Sequence, residues 1–491
     1  MTDPIADRPL PDGSDERTSS FHMSPADFRQ HGHALIDWLA DYFETIGDRE
    51  VKPDIHPGDI AARMPLSAPE SPERFEHLID DLDEVVMPGI VHWQSPGWFA
   101  YCPATPSGAS ILGELASAGL GVQGMLWSTS PAATEIENRV TDWLVDLLGL
   151  PGSWRNRTGP GGGVIQSSAS DSTHLVHVVA RERASSHVDR PTFVAYASRQ
   201  AHSSVEKGAR VAGIDHFRPI DVDETWQLRP DSLRAAITED RAAGLTPLIV
   251  TSVLGTTGTA AVDPIAAISE ITREEGLWHH VDAAYAGSAM ICPELRYLQE
   301  GAASADSYTF NPHFWMFTNF DCNVLFVADR SSLIDAMTIT PPYLQNAATE
   351  SGQVIDYRDW QVPLGRRFRS LKLWWVLRSY GAKGLRHHLR EHIGWARELA
   401  ERIERHDRLM LAAPASFGLV SFQHRDGNEA TDALLDAINA VPNIFLTGSS
   451  LNTGRYIRIS IGSTWTTAED VESLWRVIDT VASGEPAGPP C

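Results

Sequence analysis

Lysine is scarce in this chain: Lys52, Lys207, Lys372 and Lys383 are the only four in 491 positions. Basic side chains as a whole are outnumbered, 40 against 64 acidic ones, for a formal charge of -24. A surface that negative repels phosphate backbones and anionic bilayers, which excludes nucleic acid and membrane surfaces as expected partners. Cysteine is sparse too. Cys102, Cys292, Cys322 and Cys491 are too scattered for a disulfide framework or a zinc site, which points to a reducing, cytoplasmic setting. No run of about eighteen apolar residues occurs, so no membrane span is predicted. The opening "MTDPIADRPLPDGSDERTSS" lacks the basic start and apolar stretch of a signal peptide and reads as a disordered lead over residues 1–22.

What is present is a chain about three times the usual single-domain length, so one large domain with smaller appendages is expected. At Ser24 the stretch "SPADF" offers an N-cap serine, proline at the first helical position and Asp27 three residues on. Phe28, Leu35, Ile36, Leu39, Phe43 and Ile46 then recur at helical spacing and predict an amphipathic helix of about six turns ending at Gly47. Pro53, Pro57, Pro65, Pro69 and Pro72 follow. They predict an extended arm that wraps this subunit or a partner, or else a solvated linker. From about residue 108 to 370, "TFVAYAS", "PLIVTSVLG", "LWHHVDAAYAG", "DSYTFN" and "NVLFVAD" alternate with helical stretches such as "PIAAISEITREEG". Short apolar strands separated by helices imply an α/β fold with a mostly parallel sheet, whose ligands bind at the carboxyl ends of the strands. After residue 372, "FGLVSFQH", "ATDALLDAINAV", "YIRISIG" and "AEDVESLWRVIDTVA" predict a small α+β domain.

Three stretches carry polar chemistry. In "GGGVIQSSASDST", Gly161 to Gly163 allow close backbone approach, and Ser168, Ala169 and Ser170 open a helix whose free N–H groups can bind a phosphate. An ordinary Gly-rich turn before a capped helix reads the same way. In "LWHHVDAAYAG", Asp282 ends a buried strand; it either meets a protonated ring nitrogen or caps the following turn. In "SRQAHSSVEKGAR", His202 follows the strand "TFVAYAS" and can stack on a flat ring or serve structure alone.

Taken together with "MPGIVHWQSP", "SPAATEIEN", "LGTTGT", "FNPH", "NFDC" and "DYRDWQVPLGRRFRSLK", these stretches resemble the aromatic L-amino acid decarboxylases, group II enzymes that use pyridoxal 5'-phosphate (PLP). The resemblance runs from about Ser24 to about residue 480. It implies the PLP-dependent transferase-like fold type I. Residues 23–107 become an N-terminal helical arm and dimer-wrapping segment, 108–371 the large PLP-binding domain and 372–491 the small C-terminal domain. It further implies an interlocked homodimer with sites at the subunit interface. Ala169 and Ser170 would hold the cofactor phosphate, helped by His313, and Asn311 would be a further cofactor-binding residue. His202 would stack on the pyridine ring, and Asp282 would pair with its nitrogen, flanked by Thr256 and Ala284. Tyr343 matches a mobile-loop tyrosine that protonates the substrate carbon after carbon dioxide departs, which favours decarboxylation over the aldehyde-forming branch. Trp93, Tyr101, Cys102 and Pro103 would line the substrate site, with Gln123 and Met125 from the partner. Gly365 leaves room for a large ring.

One departure stands out. After "NPH" the family carries the lysine that binds PLP as a Schiff base, and here that position is Phe314. Lys207 is nearest to a plausible replacement site. A chain without the lysine can hold PLP only noncovalently, through phosphate, stacking and Asp282. Three readings stay open: a divergent decarboxylase of aromatic amino acids with crippled turnover, a silent homologue acting as a binding or regulatory subunit, and a deliberate exchange.

Overall fold

The computed structural model describes residues 21–102, 104–185, 191–339, 347–350 and 352–484. They form two compact units, one ending at Val91 and one beginning at His92. In the first, helix α1 (Pro25–Thr45) starts as the capping pattern predicts. Ser24 Oγ accepts the Asp27 N–H at 3.1 Å and donates to the Asp27 carboxylate at 2.7 Å. The proline-rich stretch after it holds only a short 3₁₀ turn, Ala61–Arg63. Helix α2 (Phe75–Asp81) closes the unit: the His31 ring meets Phe75 at 4.6 Å, and Trp38 Nε1 donates to Asp83 at 3.0 Å.

The second unit opens with α3 (Gly108–Leu120) and α4 (Pro131–Leu148). Its main sheet has seven strands: β1 (Gly162–Gln166), β2 (Phe193–Ser198), β3 (His216–Ile220), β4 (Thr246–Val253), β5 (Trp278–Asp282), β6 (Ser307–Phe310) and β7 (Asn323–Val327). Their order is β1-β7-β6-β5-β4-β2-β3. All neighbouring pairs are parallel except those of β7, which runs antiparallel to β1 and β6. Strands β2 and β5 are buried at every position, which is why they read as unbroken apolar runs. Helices α5 (Ala169–Ser185), α6 (Ser203–Val211), α7 (Pro230–Ala242) and α8 (Ile265–Glu275) connect the strands. A single turn, α9 (Pro312–Trp315), follows β6, and α10 (Arg330–Met337) and α11 (Ala347–Glu350) follow β7.

Helix α12 (Arg369–Arg405) bends at Gly381, whose φ of 62° leaves the helical region. Beyond it β8 (Leu409–Leu411), β9 (Leu419–His424), β10 (Thr447–Leu451) and β11 (Gly454–Ser460) form an antiparallel sheet of order β10-β11-β9-β8. Helices α13 (Asn428–Asn439) and α14 (Ala468–Ala482) cover it, with Phe422, Leu434, Ile457 and Leu474 at the centre of its core. The segment after His92 meets this layer. Phe99 N–H donates to the Phe445 carbonyl at 3.1 Å, and Ser460 N–H donates to the Phe99 carbonyl at 2.8 Å.

Candidate active site

The carboxyl ends of β2, β4, β5 and β6 and the loop after β1 converge on one cavity of about 730 Å³, where ligands of such sheets bind. After β1, Ser168 Oγ accepts the Asp171 N–H at 3.2 Å in the manner of an N-cap. Ala169 and Ser170, the first two residues of α5, line the cavity with amides that have no acceptor within the helix. After β2, His202 caps α6. Its Nδ1 accepts the Ser204 N–H at 3.2 Å, so in the neutral ring the proton is on Nε2.

Asp282 ends β5 and is 4% exposed. Its Oδ1 accepts the Ala284 N–H at 3.0 Å, so it does cap the following turn, and it also faces the cavity. Burial pushes its carboxyl upward in pKa, against the pull of the Ala284 N–H and of His202. The strand beside it is tied down by Asp263, whose two oxygens accept the Val253 and Leu228 N–H groups, each at 2.8 Å. Asn311 and His313 follow β6 and line the same cavity. His313 is 1% exposed, and its Nδ1 accepts the Cys322 N–H at 3.0 Å. Burial lowers its pKa to about 4, so the ring is neutral and its Nε2 carries the proton.

Tyr101 and Cys102 also line the cavity, beside residues that the sequence did not single out: Thr257, Tyr285, Thr447, Tyr456 and Arg458. Arg458 holds Tyr101 and Cys102 in place, donating to the Tyr101 carbonyl at 2.6 Å and to Cys102 Sγ at 3.2 Å. Thr256 is not among the lining residues. Its hydroxyl lies 3.0 Å from Thr259 Oγ1 and accepts the Ala261 N–H at 3.1 Å, so Thr257 takes the exposed place. Trp93 lies outside the lining, 39% exposed and stacked on Tyr101 with ring centroids 5.5 Å apart. Gln123, Met125 and Gly365 are away from this cavity too. Gln123 Oε1 accepts the Arg366 N–H at 3.2 Å, the Met125 carbonyl accepts the Arg358 N–H at 3.0 Å, and a side chain at Gly365 would begin 3.4 Å from Gln123 Oε1. Tyr343 and Pro103 lie outside the described residues.

Phe314 lines the cavity, half-buried, with its ring edge-on to His313 at 4.7 Å. Its carbonyl accepts the Thr105 hydroxyl at 2.7 Å. None of the four lysines is a lining residue. Lys372 is wholly buried on α12, 2.8 Å from the Glu114 carboxylate, and burial lowers its pKa to about 8. Lys207 and Lys383 are exposed on α6 and α12, and Lys52 belongs to the first unit.

The residues present fit a PLP-sized group in every respect except a covalent anchor. Free helix amides and the His313 Nε2–H suit a phosphate. The His202 face suits a flat ring, and the buried Asp282 carboxylate suits a protonated ring nitrogen. A doubly wound sheet with these groups around the ends of its strands defines a fold type I PLP protein. More particularly, the chain belongs to the pyridoxal-dependent decarboxylase family, whose conserved domain matches residues 57–425.

It is 42% identical to the phenylacetaldehyde synthase of Arabidopsis thaliana over 475 residues, covering 94% of this chain and 97% of that one. It is 40% identical to the aromatic-L-amino-acid decarboxylase of Bos taurus over 473 residues, with the same two coverages of 94% and 97%. Among solved structures, Oryza sativa TDC with PLP and tryptamine superposes with a TM-score of 0.92 at 34% identity, covering 95% of this chain and 99% of that one. Catharanthus roseus tryptophan decarboxylase in complex with L-tryptophan superposes with a TM-score of 0.90 at 37% identity, covering 94% and 99%. Among the described residues no helix is long and apolar enough to cross a membrane.

Proposed function

We propose that this chain is a divergent decarboxylase of aromatic L-amino acids that binds PLP noncovalently and turns over slowly because Phe314 occupies the lysine position. The single observation that carries this reading is the pairing of an intact cofactor cradle with a cavity wall that holds Phe314 and no lysine. When bound, PLP supplies an electron sink for cleavage of a bond at the substrate Cα. Ala169, Ser170 and His313 bind the phosphate, Asn311 lines the same site, His202 orients the ring, and Asp282 holds a proton on its nitrogen. Thr256 and Ala284 support Asp282 from its two flanks.

Tyr343, by resemblance, gives a proton to Cα, so that the products are an amine and carbon dioxide rather than an aldehyde. Tyr101 and Cys102 face the aromatic side chain, with Trp93 stacked behind Tyr101, and Pro103 joins them by resemblance. Gln123 and Met125 complete the substrate site from the second subunit of a homodimer, and Gly365 leaves room for a large ring. The apolar Leu112, Leu115 and Leu120 that α3 leaves exposed support such a partner copy. The buried free thiols Cys292 and Cys322 suit a cytoplasmic protein.

The test is a PLP titration, with and without tryptophan or dopa, on the native chain and on Phe314→Lys. Without added amino acid, the native chain is expected to bind PLP saturably with no imine absorbance and no protein adduct fixed by borohydride. Phe314→Lys is expected to gain the imine band and to raise amine production by at least about 10²- to 10⁴-fold, the usual worth of a positioned acid–base group. If the lysine variant forms the imine yet stays inert, the chain is a silent homologue serving as a binding or regulatory subunit. If neither protein binds PLP, the reading fails.

A further inference from the structure

Asn323, the first residue of β7, is wholly buried, and every hydrogen-bonding valence of its amide is engaged. Its Oδ1 accepts the Ser172 hydroxyl at 2.5 Å and lies 3.0 Å from Thr309 Oγ1. Its Nδ2 lies 2.9 Å from the Phe310 carbonyl, 2.9 Å from Thr309 Oγ1 and 2.7 Å from Asn311 Oδ1. One side chain thus joins the first turn of α5, the end of β6 and a residue of the cavity wall.

The partners fix which way both amides point. A carbonyl can only accept, so the Phe310 oxygen fixes the NH₂ end of Asn323. Asn311 must then turn its oxygen toward that end, because two NH₂ groups 2.7 Å apart would set donor against donor. Asn311 is left with Nδ2 as the end that serves the cavity it lines, and that atom makes no hydrogen bond to the described residues.

We infer that Asn323 is a positioning residue: by fixing the Asn311 amide, it sets a hydrogen-bond donor rather than an acceptor against an anionic oxygen of the bound ligand. The inference rests on the PLP reading above. The oxygen belongs either to the cofactor phosphate or to the substrate carboxylate, and the experiment separates the two.

Asn323→Asp keeps the shape but puts an oxygen where the NH₂ end was, which drives Asn311 to flip. Binding of PLP, of pyridoxal, and of tryptophan with pyridoxal is measured for the native chain, Asn323→Asp, Asn311→Ala and the double variant, with melting temperatures alongside. Asn323→Asp is expected to weaken one of these ligands about tenfold, the worth of one charge-assisted hydrogen bond. A loss for PLP but not pyridoxal assigns the phosphate, and a loss confined to tryptophan assigns the carboxylate. In the Asn311→Ala background the same change is expected to have no further effect, which a merely structural role would not produce. Equal binding by native and Asn323→Asp, or an equal loss in both Asn311 backgrounds, overturns the inference. Failure of the native chain to bind PLP at all overturns it together with the functional reading. Should Asn323→Asp not fold, Asn323→Ser removes the same donor with less charge and carries the test.

Discussion

Glu137 and Arg366 meet fork to fork inside the protein, Oε2 to Nη1 at 3.0 Å and Oε1 to Nη2 at 2.7 Å, with side chains only 3% and 2% exposed. The pair is clamped onto β1: Glu137 Oε1 accepts the Ile165 N–H at 2.8 Å and Arg366 Nη2 donates to the Ile165 carbonyl at 2.8 Å. The Arg366 Nε donates to Gln361 Oε1 at 2.9 Å, and the guanidinium lies over the Tyr357 ring at 4.6 Å. Removing either partner leaves a buried charge uncompensated, so Glu137→Gln and Arg366→Met are each expected to destabilise by about 3–5 kcal/mol. The double variant should lose clearly less than the sum. Urea unfolding of the three proteins checks this, and single losses under about 1 kcal/mol would show the pair to be dispensable.

Asp282 pulls binding and stability in opposite directions. Its carboxylate is buried at the end of β5, and the folded protein bears that desolvation whether or not a ligand is present. Asp282→Asn keeps an oxygen for the Ala284 N–H but removes the charge. Without PLP, the melting temperature of Asp282→Asn is expected to equal or exceed that of the native chain. PLP affinity is expected to fall by about 10- to 100-fold, the worth of a hydrogen bond to a charged group. A drop in both quantities would mean that the carboxylate serves the fold rather than the cofactor.

How much of this was legible in the sequence depended on how local the signal was. The α1 cap could be read because Ser24, Pro25 and Asp27 lie within one turn, and β2, β4 and β5 because continuous burial imposes continuous apolarity. Strand β1 was hidden in "GGGVIQ", since glycine is a poor strand former and its placement here answers to neighbours far along the chain. Strand β3 was hidden because "HFRPI" is a half-exposed edge carrying Pro219. Within the site, His202 and Asp282 followed from their places just after strands. Thr447, Tyr456 and Arg458 left no such trace: they enter from the small layer more than 240 positions after His202, a meeting that only the fold brings about. Thr256 and Thr257 are neighbours, and which one faces the cavity is decided by the hydrogen bonds of Thr256 to Thr259 and Ala261, below the resolution of a residue pattern.

His313 gives the protein an acid-sensitive element with a definite sign. Its folded pKa is about 4 against an ordinary 6.5, because burial disfavours the charged ring. Above pH 6.5 the ring is neutral in both folded and unfolded chains, and its contribution is fully present. As pH falls from 6.5 toward 4 the unfolded chain takes up the proton and the folded one does not, so stability is lost across that window and levels off below it. The loss from this group alone is about 3 kcal/mol. Unfolding free energies of the native chain and His313→Gln, measured from pH 7 down to about 4, should converge as pH falls. Parallel curves would show that His313 does not titrate in this way.

Gly162 and Gly394 are expected to answer the same substitution with opposite signs. A Cβ at Gly162 would lie 2.1 Å from Asn156 Oδ1 and 2.6 Å from the Trp360 ring. Asn156 cannot give way cheaply, because its Nδ2 donates to Thr141 Oγ1 at 2.9 Å, the Gly163 carbonyl at 2.8 Å and the Tyr357 hydroxyl at 3.0 Å. Gly162→Ala should therefore destabilise by about 3 kcal/mol, the upper end for overpacking, since buried hydrogen bonds are lost with the fit. Gly394 is inside α12 with nothing within 4 Å of an added methyl, so Gly394→Ala should stabilise by about 0.5–1 kcal/mol. The contrast bears on the glycine run itself. If Gly162→Ala leaves stability intact and weakens PLP binding instead, the run exists for close approach to a ligand; the distances to Asn156 and Trp360 assign it to the packing of β1.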